Sequence, residues 1–157
     1  MSLNIVLHEP EIPANTGNIA RTCAGTSTAL HLIHPLGFST EDRMLKRAGC
    51  DYWPNVNINY HQSLEAFLAE RDMSDVFFVE TTGSDWYTNF DYSDTNKDYY
   101  FVFGKETKGL PEWVAETYPN RCIRLPQNEL IRSLNVSNAA AILLYEALRQ
   151  QSFPKLN

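Results

Sequence analysis

The chain has 157 residues and a formal net charge of −6. That length suits one domain, residues 1–157, with no room for a second full-sized core. With 43% hydrophobic and 12% aromatic residues, disordered, collagen-like and disulfide-framework classes are excluded, and the overall acidity argues against a nucleic-acid partner, which usually meets basic protein. Cys23, Cys50 and Cys122 are odd in number and lack C-x-x-C spacing, so reduced thiols are expected rather than disulfides or a zinc site. The N-terminus has no basic segment followed by a long apolar one, and no run approaches the roughly 18 apolar residues of a membrane span. These features predict a soluble, cytoplasmic protein with neither membrane nor metal as partner.

In chain order, Leu3–Leu7 reads as a buried strand ending at His8. A proline-spaced loop follows, and Asn15 or Thr16 is placed to cap a helix reaching about Thr26. Ala29–Ile33 is the next strand. Ser39, Thr40 and Asp42 open a helix to about Ala48. Val56–Tyr60 is a weak strand and Ser63–Arg71 a helix. Val76–Thr81 and Asp98–Phe103 are strands rich in β-formers. Gly83–Asn96 is the best candidate for a long loop. Pro111 suits the first turn of a helix to about Thr117. Ile123–Leu125 is a short strand, and Ser137–Gln151 a helix with a wide apolar stripe. Alternation of this kind predicts an α/β fold, with a mainly parallel sheet covered by helices on both faces.

The charge is segregated. Residues 63–98 carry nine acids and two bases, whereas the remainder carries ten acids and eleven bases. Arg43, Lys46 and Arg47 lie at i, i+3 and i+4 on one face of a predicted helix. They are either a solvated face or an anionic-partner patch. Arg21, Lys105, Lys108, Arg124 and Arg132 flank predicted strand ends or Gly-rich turns.

Several familiar sites are missing. No G-x-G-x-x-G follows a strand, and Gly104-Lys105-Glu106-Thr107-Lys108-Gly109 continues with Leu110, so it is no Walker A loop. There is no G-x-S-x-G. His31 and His34 project from opposite faces, which argues against a metal pair.

Three loops at predicted strand ends are chemically richer. Asn15-Thr16-Gly17-Asn18-Ile19-Ala20-Arg21 reads as a capped turn with a solvated arginine, or as an anion site at a helix N-terminus. Phe103-Gly104-Lys105-Glu106-Thr107-Lys108-Gly109-Leu110-Pro111 reads as an ordinary strand–turn–helix, or as a place where a ligand approaches the backbone closely, with Glu106 holding a polar ligand group. Ile123-Arg124-Leu125-Pro126 followed by Arg132-Ser133-Leu134-Asn135-Val136-Ser137-Asn138 has Asn135 or Ser137 as a helix cap, which accounts for only part of its polar character. Crevices at the carboxyl ends of parallel strands are where ligands bind in such folds.

In order and spacing, these three segments resemble the three motifs of the SPOUT (α/β-knot) RNA 2′-O-ribose methyltransferases. The likeness runs nearly the whole chain and is weakest over Thr81–Asp98. Glu9-Pro10-Glu11-Ile12-Pro13-Ala14-Asn15, with Asn138 and no additional N-terminal domain, resembles the minimal tRNA (cytidine/uridine-34-2′-O)-methyltransferases. The resemblance implies a C-terminal deep trefoil knot, S-adenosyl-L-methionine as cofactor, tRNA as partner and a homodimer with its active sites at the interface. Carried over by motif, the cofactor pocket would use Val79, Gly104, Leu125 and Ser133, with backbone near Ile123 and Leu134. Arg21 would lie at the centre of catalysis, supported by Asn15, Asn18, Glu106, Ser133 and Asn135.

A ribose 2′-hydroxyl would attack the sulfonium methyl. A guanidinium is a poor proton acceptor at neutral pH, so Arg21 is better suited to holding the adjacent phosphate and the developing alkoxide than to acting as base. RNA would be bound by Arg43, Lys46, Arg47, Arg124 and Arg132, with a base stacked on Tyr52, Trp53 or Trp86, and segment 63–98 would face away from it. The competing readings are 2′-O-methylation of ribosomal RNA or of another tRNA position, a non-catalytic RNA-binding module on this fold, and a flavodoxin-like binder.

Overall fold

The computed structural model describes residues 2–41 and 53–157. Its strands are β1 (Leu3–His8), β2 (Ala29–Ile33), β3 (Ile58–His61), β4 (Val76–Val79), β5 (Asp85–Trp86), β6 (Tyr99–Phe103) and β7 (Cys122–Arg124). They form one sheet of seven strands in the order β3-β2-β1-β6-β4-β7-β5. Every pairing is parallel, as the strand–helix alternation predicts. The helices are α1 (Pro13–Thr26), α2 (Leu64–Ala69), α3 (Glu112–Thr117) and α4 (Val136–Gln150).

Helices cover both faces. Leu3, Ile5 and Leu7 of β1 join Leu30, Leu32, Phe101 and Phe103 against Ile19, Ala20 and Cys23 of α1 and Leu143, Leu144 and Ala147 of α4. The alternate positions, Val6, Ile33, Phe78 and Val102, pack on Leu64, Phe67 and Leu68 of α2 and Val114 of α3. The period of two along each strand therefore sorts side chains between two cores. Burial pushes the Cys23 thiol up to about 12, which keeps it protonated and inert.

The structure differs from the sequence reading at three described places. α1 begins at Pro13 rather than at an Asn15 or Thr16 cap; Ile12 occupies the cap position and supplies no side-chain bond, while Asn15 and Thr16 are buried. The fixed φ of proline is already helical, so Pro13 starts the helix earlier than the polar residues suggest. β3 is shifted to Ile58–His61. The expected loop 83–96 carries β5 and a 3₁₀ turn, Tyr87–Asn89, and is anchored by the fully buried Tyr92. The Tyr92 hydroxyl donates to the Tyr87 carbonyl at 2.6 Å, and Gln150 of α4 accepts from the Tyr92 amide at 2.6 Å. The expected helix from Asp42 to Ala48, with Arg43, Lys46 and Arg47, lies outside the described residues, as do Cys50 and Tyr52.

One polar chain crosses the second core. Asn4 Nδ2 donates to the Tyr99 carbonyl, which turns its Oδ1 toward His31 Nε2 at 3.1 Å. His31 Nε2 must then carry the proton, so Nδ1 accepts from His61 Nε2 at 2.9 Å. A second proton on His31 would set two N–H groups against each other. Burial, followed by the His61 and Arg71 charges, lowers the His31 pKa to about 4. Because the folded chain resists a proton that the unfolded chain accepts, stability is fully present above about pH 6.5 and is lost as the pH falls toward 4. Urea unfolding at stepped pH should show this loss, on the order of 1–3 kcal/mol from His31, and His31→Gln should have a shallower slope in the same window.

Candidate active site at the carboxyl ends of the strands

From β1 the chain runs outward through β2 and β3, then crosses to fill the other side of the sheet with β4 to β7. The strand order therefore reverses beside β1 and β6, where a parallel sheet opens its ligand crevice. The three loops singled out from sequence meet at this edge.

Glu106 ties them together. Its carboxylate accepts from the Glu11 amide at 2.9 Å and the Ile12 amide at 3.1 Å. These donors precede the α1 helix, and no side chain of α1 serves them, so a residue from the loop after β6 does. Asn15 Nδ2 approaches the same carboxylate at 3.4 Å, and Asn15 Oδ1 accepts from Asn135 Nδ2 at 3.0 Å. Asn135 in turn caps α4 through its Oδ1, which accepts from the Ser137 amide at 2.9 Å and the Asn138 amide at 3.4 Å. A carboxylate and two amides thus join three loops distant in sequence. Glu106 fastens the entry of α1 and also lines the first cleft.

Further bonds brace the loop after β6. Glu11 Oε1 accepts from the Thr107 amide and hydroxyl at 3.1 and 2.7 Å, bonds that hold the Glu11 carboxyl below its ordinary range. Lys105 pairs with Glu9 at 3.0 Å, and Arg132 donates to the Thr107 carbonyl. Gly109 sits at φ +70°, and a Cβ on Gly104 would lie 2.1 Å from the Gly109 carbonyl carbon. Both positions therefore demand glycine.

A cleft of about 190 Å³ opens beside this loop. Val79, Gly104, Leu125, Ser133 and Leu134, five of the six residues assigned to a cofactor, line it together with Glu106 and Arg132. Ile123 does not line it. Its side chain is buried and its carbonyl accepts from the Glu80 amide at 2.9 Å. Asn15 stands outside the lining and bonds Glu106, and Asn135 is joined to it through Asn15. Asn18 and Arg21 lie on the exposed face of α1, outside the lining, and Arg21 makes no hydrogen bond or ion pair with a described residue. Arg124 is exposed at the end of β7 and lines neither this cleft nor its neighbour.

Sequence reasoning missed Glu80 and Gln127 of the lining, and noted Lys108 only as a base beside a Gly-rich turn. Burial raises the Glu80 carboxyl above its ordinary range, and its Oε1 accepts from the Leu110 amide at 3.2 Å. Its place at the end of β4, a strand already expected, was the available signal. Segment 63–98 does not stand wholly apart from these clefts, because Glu80 lines the first and Glu65 the second.

A profile of the SpoU rRNA methylase family matches residues 2–145. The chain belongs to this family. It is 48% identical over 151 residues to the tRNA (cytidine(34)-2′-O)-methyltransferase of Methylovorus glucosotrophus, covering 96% of each chain. A solved structure described as giving insight into 2-OH methylation of C/U34 on tRNA superposes with a TM-score of 0.85 at 40% identity, over 96% of this chain and 97% of that one. The AdoMet-bound rRNA methyltransferase of Sinorhizobium meliloti has a TM-score of 0.78 at 25% identity, over 94% of this chain and 56% of that one.

The cleft suits AdoMet, the cofactor bound in that last structure. Val79, Leu125 and Leu134 provide apolar walls for a purine, while Ser133, Gln127 and the backbone at Gly104 provide polar contacts. Among the described residues no helix is long and apolar enough to cross a membrane, and no group of three or more His, Cys, Asp or Glu could hold a metal. Two substitutions test the construction of the cleft by thermal unfolding. Asn135→Ala should cost about 0.5–2 kcal/mol through loss of the α4 cap, and Gly104→Ala should cost more, since its methyl meets backbone.

Proposed function

We propose that this chain methylates the 2′-hydroxyl of the wobble ribose, position 34, of tRNA. The observation that carries the reading is the joining of Asn15, Glu106 and Asn135 beside a cleft lined by Gly104, Leu125, Ser133 and Leu134. The whole-length likeness to a tRNA (cytidine(34)-2′-O)-methyltransferase supports this target over ribosomal RNA.

When bound, S-adenosyl-L-methionine supplies a methyl group already activated on a positively charged sulfur. Val79, Leu125, Ser133 and Leu134 hold that cofactor, and the braced loop after β6 fixes where it sits. The protein's contribution is mainly alignment, which is worth up to about 7–11 kcal/mol in favourable intramolecular cases. Arg21 binds the phosphate beside the target ribose and stabilises the negative charge that develops on the 2′-oxygen as its proton passes to solvent water, by charge and paired donors.

Arg21 stands outside its own chain's cleft, so a second copy completes the site in this reading. The exposed Ile142 and Tyr145 of α4, with Ile12 at the start of α1, supply an apolar face for a homodimer. A trefoil knot is part of the same proposal. It is supported by β7, last of the strands in sequence, lying between β4 and β5, with Gly83 pressed against the backbone of Ile123. A cytoplasmic, single-domain enzyme fits these features.

Incubation with labelled cofactor and bulk tRNA, followed by nucleotide mapping, should place label on the position-34 ribose. Label confined to another position or to ribosomal RNA overturns the assignment. Arg21→Ala should lower transfer by about 10²-fold or more while calorimetry shows unchanged cofactor affinity. Equal loss of both in a folded variant would make Arg21 a cofactor or structural residue. Arg21→Lys should also transfer poorly, because an ammonium lacks the paired donors.

A further inference from the structure

A second cleft, of about 880 Å³, opens next to the first at the ends of β1, β2 and β3. The two clefts share four lining residues: Lys105, Lys108, Gly109 and Arg132. Three of the four are basic, so positive charge is concentrated where the clefts join. Lys105 is neutralised by Glu9, but Lys108 is exposed and forms no ion pair with a described residue. Glu65 and Glu112 line only the second cleft. Phosphate is therefore favoured at the junction and disfavoured beside Glu65 and Glu112.

The second cleft has an exposed aromatic ring in its lining, His34, whose ring partner Tyr60 lies outside the lining. The two rings stack with centroids 5.7 Å apart and planes 30° apart. Both rings are exposed, Tyr60 to 47%, and the Tyr60 hydroxyl is steadied by donating to Thr40 Oγ1 at 3.2 Å. An exposed, pre-stacked ring pair suits a nucleobase, whose π-face is recognised by stacking.

We propose that the second cleft receives the base of a nucleotide flanking the methylated one. The connecting phosphate crosses Lys108 and Arg132, and the base stacks on the His34–Tyr60 pair. This deepens the RNA-methylation reading and rests on it. It replaces Trp53 and Trp86 as the stacking surface: Trp53 is half-buried against the first core, and Trp86, though 49% exposed, is on the far edge strand β5.

The test is photo-crosslinking with an anticodon stem–loop RNA carrying 5-iodouridine at either neighbour of the target nucleotide, followed by peptide mapping. One of the two placements should crosslink to His34 or Tyr60. His34→Ala and Tyr60→Ala should raise the KM for tRNA about fivefold or more, the lower end of the loss of one base–aromatic stack, with cofactor affinity unchanged. Tyr60→Phe should restore the KM by keeping the stack. Lys108→Ala should flatten the salt dependence of RNA binding by about one unit of slope. If the wild-type chain methylates tRNA but both crosslinks map elsewhere and both alanine variants keep their KM, the second cleft is not the subsite. If the crosslink lands on His34 or Tyr60 but no RNA is methylated, the cleft assignment holds and the transfer reading fails.

Discussion

The Glu106 carboxylate is the constraint on which the rest of the site depends. The segment entering α1 contains Pro13 and Ile12, neither of which caps the helix, so the Glu11 and Ile12 amides need an acceptor from elsewhere in the fold. Glu106 supplies it from the loop after β6. Asn15 and Asn135 extend the connection to the start of α4, so one set of bonds fixes the entry to α1, a wall of the first cleft and the cap of α4. The parallel sheet makes this possible by delivering the loops after β1, β6 and β7 to the same edge.

The acidity of the chain is compatible with an RNA substrate because charge is distributed by position. Acids cluster in residues 63–98, of which Glu65 and Glu80 reach the clefts, while Lys105, Lys108 and Arg132 meet where the two clefts join. Several of the acids have structural work. Glu9 pairs with Lys105, Glu11 holds Thr107, Glu80 holds the Leu110 amide and Glu106 holds α1. A net charge of −6 therefore says little about the field at the junction.

Much of the fold was legible because fully buried parallel strands leave continuous apolar runs, and Leu3–His8, Ala29–Ile33 and Tyr99–Phe103 are such runs. The cap at Asn135 and four residues of the first cleft, Gly104, Leu125, Ser133 and Leu134, were legible because they lie in motifs of fixed spacing. The start of α1 was not, since its acceptor is 94 residues away in sequence at Glu106. Tyr92 escaped for a similar reason: it lies in a polar stretch, and its burial depends on Gln150 and the aromatic cluster of Phe77, Tyr99 and Phe101. The second cleft was invisible because it combines His34 with Lys108 and Arg132 from loops far along the chain. The spacing separates the histidines at 31 and 34 onto different faces, but nothing local signals that one joins a buried polar chain and the other an exposed ring pair.

The most direct test of this account is a double-mutant cycle in unfolding free energy between Glu106→Ala and Asn135→Ala, which are linked by hydrogen bonds through Asn15. If the three loops are held as one unit, the second substitution should cost less once the first is present, with a coupling of about 0.5–3 kcal/mol. Additive costs would contradict it, leaving three loops that stand independently and a cleft whose shape does not depend on Glu106.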